Sequence, residues 1–147
     1  MGGRGPADDV AARSHRALRA IRRELDRNPI VTSARGFPPD AHATVEADID
    51  ADRVEGAVGD ATLTVRWYDG ELSGRPEFSV HYSDDAGADF GWHHEPNPHV
   101  EGWGHYQERP DASAAYDYEP YSFATLVPSQ VVWEVAARLR ERLAERG

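Results

Sequence analysis

The chain has 147 residues, a formal net charge of -10 and a pI near 5.0, and all sixteen of its basic residues are arginine. That length suits one domain with a sizeable buried core. The absence of cysteine excludes disulfides, thiolate nucleophiles and cysteine-bound zinc.

Residues 1–7 are glycine- and alanine-rich and are expected to be disordered, leaving residues 8–147 as a single domain. Asp8 or Asp9 can cap a helix running to about Arg27, with Val10, Ala17, Leu18, Ile21 and Leu25 on one face. Asn28-Pro29 ends it, because proline cannot continue the hydrogen-bond ladder. Arg35 to Asp40 reads as a turn. The period then changes from 3.6 to 2: Ala43, Val45, Ala47 and Ile49 alternate with polar residues, as do Leu63, Val65 and Trp67, and Phe78, Val80 and Tyr82. Phe90 and Trp92 begin another such run. Turn signals separate the runs at Gly59-Asp60, Asp69-Gly70, Gly74-Arg75-Pro76 and Asp84 to Gly87.

Residues 108–120 read as an acidic, tyrosine-bearing loop. From Pro128 the spacing of Val132, Val135, Ala136, Leu139 and Leu143 predicts a helix to the end, with arginines placed late to suit its dipole. The expected fold is α+β: an antiparallel sheet of four to six strands, with the N- and C-terminal helices packed on one face. No apolar run approaches the roughly 18 residues needed to span a bilayer, and no signal peptide is visible. A cytoplasmic location with no membrane partner is expected.

Lysine-free, acid-rich and with a mean hydropathy of -0.68, the composition is the pattern of a cytoplasm holding molar salt. The acidity therefore reflects the environment. It is no sign of a basic partner, nor does it exclude an RNA substrate.

Asp89 to Glu108 is the stretch richest in chemistry, with four of the seven histidines: His93, His94, His99 and His105. Histidine has the unperturbed pKa nearest neutrality and is the commonest metal ligand. One reading is RNA cleavage without a required cofactor or metal. The four imidazoles would supply base and acid, and Glu95 or Glu101 would orient one of them. Arg109 or Arg66 would hold the phosphate. Trp92, Trp103 and Tyr106 would stack bases, and His81 joins the substrate side if its strand face is wet. A second reading is a metal site from His94, His99 and His105 with Glu95 and Glu101, although the spacing is not that of a helical HExxH motif. The plainer reading is a polar, aromatic hairpin rim in which histidines stand where lysines would otherwise stand.

Outside this stretch, His15 and His42 read as ordinary surface residues. The run from Arg13 to Arg27 reads as a solvated helix face rather than a nucleic-acid stripe. No Ser-His-Asp arrangement or glycine-rich phosphate loop is present.

The strand FSVHY, the DDAG hairpin and the run WHHEPNPHVEGWGHYQE, followed by a loop and a C-terminal helix, resemble the TumE-like toxin family of prokaryotic toxin–antitoxin systems. The likeness covers about residues 61–140 and rests on the histidine–proline alternation from His93-His94 through Pro98-His99 to His105, supported by Tyr82. The family's arginine-tyrosine-aspartate-asparagine run is represented here by Asp89-Phe90-Gly91-Trp92, and its His-Lys-His ending by Gly104-His105-Tyr106. The resemblance implies a small α+β toxin partnered by a cognate antitoxin; joined to the histidine reading, the expected function is a toxin acting on RNA. The rival function is a non-catalytic binding or regulatory module that uses the aromatic, histidine-rich face.

Overall fold

A computed structural model describes residues 6–69 and 75–146 of the protein. Of residues 1–7, where disorder is expected, 1–5 lie outside the described residues, as do most of the turn signals at 69–76, while Pro6 and Ala7 already belong to a helix.

Helix α1 spans Pro6–Arg27 and begins two residues before the expected Asp8 cap, with proline in its first turn, where an N–H is not required. Ala17, Leu18, Ile21 and Leu25 are buried along one stripe. At its end the Asn28 N–H donates to the Leu25 carbonyl at 3.0 Å, and the Asn28 side-chain oxygen accepts from the Ile30 N–H at 3.1 Å. This turns the chain into the first strand.

Seven strands follow: β1 Val31–Phe37, β2 Thr44–Ile49, β3 Ala61–Tyr68, β4 Glu77–Ser83, β5 Asp89–His94, β6 Gly104–Glu108 and β7 Asp117–Pro120. They form one antiparallel sheet in sequence order, each strand paired only with its chain neighbours. Helix α2, Pro128–Arg146, closes the chain and packs beside α1. The α+β class and the two terminal helices are as the sequence predicts, but the sheet is larger than the four to six strands expected.

The additional strands have weak apolar alternation. β1 runs on through Arg35 to Phe37, inside the segment read as a turn, and its inward positions are the small Ala34 and Gly36. β7 arises within the expected acidic loop and is held by backbone pairing with β6, its side chains half-buried or exposed.

Strand alternation sorts the side chains into two layers. Val45, Ala47, Leu63, Val65, Trp67, Phe78, Val80, Tyr82, Phe90, Trp92 and Tyr106 face the helices and join the stripes of α1 and α2 in one buried cluster. α1 lies against β1 to β3, while α2 reaches β6 through Arg142, whose Nε donates to the Tyr106 hydroxyl at 2.8 Å. The other sheet face is free of helices. On β4 to β7 it carries the polar groups described next.

Candidate functional site

In β4, β5 and β6 the odd-numbered residues point away from the helices. The register places His81 opposite Gly91 and Gly91 opposite Gln107; one step along, Ser79 faces His93 and His93 faces His105. Gly91 is essential to this layout. A Cβ there would lie 2.6 Å from His81 Nδ1 and 2.6 Å from the Val80 carbonyl oxygen, so only glycine leaves room for the His81 ring beside β5.

Asp89 organises one end of the row. Its Oδ1 accepts from His81 Nε2 at 2.5 Å and from the Tyr116 hydroxyl at 2.8 Å, while Oδ2 accepts from Arg109 Nε at 2.7 Å. Burial works to raise the Asp89 carboxyl, but the hydrogen bonds from Arg109, His81 and Tyr116 together hold it below the usual carboxylate range. An ionised carboxylate only accepts, so His81 donates its Nε2–H to Asp89, and in the neutral tautomer that this selects the lone pair is on Nδ1. The Arg109 guanidinium also lies 4.5 Å from the centre of the Tyr116 ring, tying the loop after β6 back over the site.

His93 is the next member. Its Nε2 lies 3.5 Å from His81 Nδ1, and its Nδ1 lies 3.2 Å from Glu95 Oε1. Burial first, then the charges of His105, His81 and Arg66, push its pKa down to about 3, so the ring is neutral at pH 7. The His93 and His105 rings stack at 5.1 Å with planes 17° apart. His105 is fully buried: its Nε2 lies 3.2 Å from Gln107 Oε1 and 3.4 Å from Asn97 Nδ2, and its Nδ1 has no hydrogen-bond partner. Beyond it, His99 stacks on Tyr118 at 4.6 Å with planes 9° apart, forming an aromatic ledge at the β7 edge.

The predicted site residues therefore divide. His81, His93, His105 and Arg109 meet on the open face, with Arg66 exposed on the same face and His99 at its rim. His94 does not join them. As the neighbour of His93 in a strand it must point the other way. It is buried against Phe78, Trp103 and Phe123, and its Nδ1 lies 2.7 Å from the Pro76 carbonyl oxygen. Trp92 and Tyr106 are core residues on the helix side, so the expected convergence of four histidines beside them is corrected to His81, His93 and His105.

Trp103 lines a separate recess of about 350 Å³ with Arg75, His94, Glu101, Tyr121 and Phe123. The His94–His99–His105 metal arrangement is likewise not formed, because His94 and His105 lie on opposite sheet faces.

The sequence reading missed Asp89, Gly91, Gln107, Tyr116 and Tyr118. Asp89 and Gly91 were recoverable from strand parity with His81 and His93. The two tyrosines come from a stretch without visible periodicity. Comparison with family models, with curated proteins and with solved structures found no match for the chain.

Proposed function

We propose that the protein is the toxin of a toxin–antitoxin pair and acts on RNA through the open face of β4 to β7. The observation that supports this most is the Asp89–His81–His93 row, a carboxylate-oriented imidazole beside a second imidazole, with Arg109 locked onto the carboxylate. His81 is the base. Asp89 fixes its tautomer and stabilises the imidazolium formed when Nδ1 takes the proton of an attacking 2′-hydroxyl; the 2′-oxygen bonds to the adjacent phosphorus, the P–O5′ bond breaks, and the leaving 5′-oxygen takes its proton from water. His93, with its pKa pushed to about 3, is a poor proton acceptor at pH 7 and serves to position His81. Arg66, exposed on the same face, supplies positive charge for the phosphate, and the His99–Tyr118 ledge offers a stacking surface for a base.

Induced expression of the wild type in a salt-tolerant host should arrest growth and cleave RNA. His81→Asn, at a partly exposed position, should do neither while folding normally. Absence of arrest and of cleavage by the wild type overturns this function. A non-catalytic binding module on the same face instead predicts RNA or protein binding that survives His81→Asn, with no cleavage by either form. A small DNA-binding reading frame next to the gene is the expected sign of the cognate antitoxin.

A further inference from the structure

We infer that His93, Glu95 and His105 form a binding site for one divalent transition ion of the zinc class, with a coordination position left for water or a substrate oxygen. This goes beyond the reaction proposed above, which needs no metal, and it stands or falls separately from it.

The first ground is geometry. One ligand atom from each of the three side chains can be chosen so that all lie within 4.8 Å of one another. A tetrahedral zinc with bonds near 2.0–2.1 Å has ligand atoms about 3.3 Å apart. His93 Nδ1 and Glu95 Oε1, at 3.2 Å, already have that separation. The His105 ring stacks on that of His93 with centres 5.1 Å and planes 17° apart, so it must turn out of the stack to bring a nitrogen to the ion. Two imidazoles and one carboxylate are a donor set that zinc accepts, with a fourth position open.

The second ground is His105 Nδ1, buried and without a hydrogen-bond partner among the described residues. An orphaned buried nitrogen is unfavourable unless something occupies it. His105 Nε2 faces Gln107 Oε1 at 3.2 Å and Asn97 Nδ2 at 3.4 Å; the tautomer with its proton on Nε2, donated to Gln107, leaves the lone pair on Nδ1. An outer carbonyl that sets the tautomer of a histidine ligand is the usual support for such a site. His93 has His81 as its outer neighbour, its Nε2 lying 3.5 Å from His81 Nδ1. The two histidine ligands thus have outer neighbours in place on the free face of the sheet.

The test uses purified full-length protein, freed of metal with a chelator and dialysed into molar KCl to suppress weak binding by the acidic surface. Titration with zinc chloride, followed by calorimetry, should show one ion per chain with a dissociation constant of 1 µM or tighter. Cobalt(II) in its place should give the intense visible absorption of a four-coordinate site. Glu95→Gln, a near-isosteric change at a half-buried position, is expected to weaken zinc binding at least tenfold. His93→Gln should do the same, and His42→Gln, away from the site, should leave it unchanged. Absence of saturable one-to-one binding below 100 µM overturns the inference, as does wild-type affinity in Glu95→Gln. Zinc binding without RNA cleavage would keep the site and remove the ribonuclease reading. Cleavage unaffected by chelator, with no zinc bound, would do the reverse.

Discussion

Replacing Gly91 with alanine tests the architecture of the site at its tightest point. The added methyl would lie 2.6 Å from the Val80 carbonyl oxygen, 2.8 Å from His81 Cα and 2.6 Å from His81 Nδ1. Two of these three atoms belong to the backbone of β4, directly paired with β5, so the clash cannot be relieved by turning a flexible side chain. Overpacking of this kind costs about 1–3 kcal/mol. For a chain of this size that corresponds to a fall in melting temperature of about 3–10 °C. The His81 ring must also shift, which stretches its 2.5 Å contact with Asp89 and covers the Nδ1 lone pair.

Thermal unfolding followed by circular dichroism in molar KCl measures the first effect, and RNA cleavage by the folded protein measures the second, with a loss of at least a hundredfold expected. A double variant with His81→Ala separates the two sources of the clash. Removing the ring should recover part of the stability cost, and the contact with Val80 should retain the rest. An unchanged melting temperature together with unchanged activity would refute this account of Gly91.

His94→Ala should lower stability by about 2–4 kcal/mol, because it opens a cavity among Phe78, Trp103 and Phe123 and leaves the Pro76 carbonyl unpaired; denaturant unfolding measures it. The same variant should cleave RNA normally when folded. Tyr118→Ala removes the ledge under His99 and should weaken single-stranded RNA binding about tenfold or more, read by fluorescence anisotropy, since one stacked base is worth about 1–3 kcal/mol. His15 is held below the ordinary histidine value of 6.5, first by partial burial and then by His42, Arg19 and Arg16, and its Nδ1 accepts from the His42 N–H at 2.7 Å. The folded state therefore prefers the neutral ring. Its contribution to stability is complete above pH 6.5 and declines as pH falls through the lower folded value, so a proton NMR titration should place His15 below 6.5.

Both helices were legible because their apolar residues recur at 3.6 and their ends carry proline signals, at Pro29 and Pro128. Strands β2 to β5 were legible because Val45, Leu63, Val80, Phe90 and their neighbours alternate cleanly. β6 and β7 were not, since β6 buries His105 and Gln107 on one face and β7 has almost nothing apolar to bury. The site was half legible for the same reason. Adjacent histidines in a strand face opposite ways, so His93 and His94 could never act together once β5 was seen to run through both. Pro96 and Pro98, just past the strand, obscured how far the run begun at Phe90 extends. Tyr116 reaches Asp89 from 27 residues downstream, a contact that no local pattern encodes.

The sequential strand order leaves β1 and β7 as the sheet's two edges. β7 is four residues long, carries Asp117 and Glu119, and ends in Pro120, which has no N–H to offer an incoming strand. β1 is longer, but its pairing slips between Val31 and Ser33, and its Arg35 is held by Asp48 at 3.1 Å. An edge that is short, acidic or irregular is a poor template for recruiting another chain. A protein built around one open sheet is thus guarded at both edges against growing end to end into fibrils. The margin beside the histidine row also stays clear for a flexible ligand rather than a docked strand.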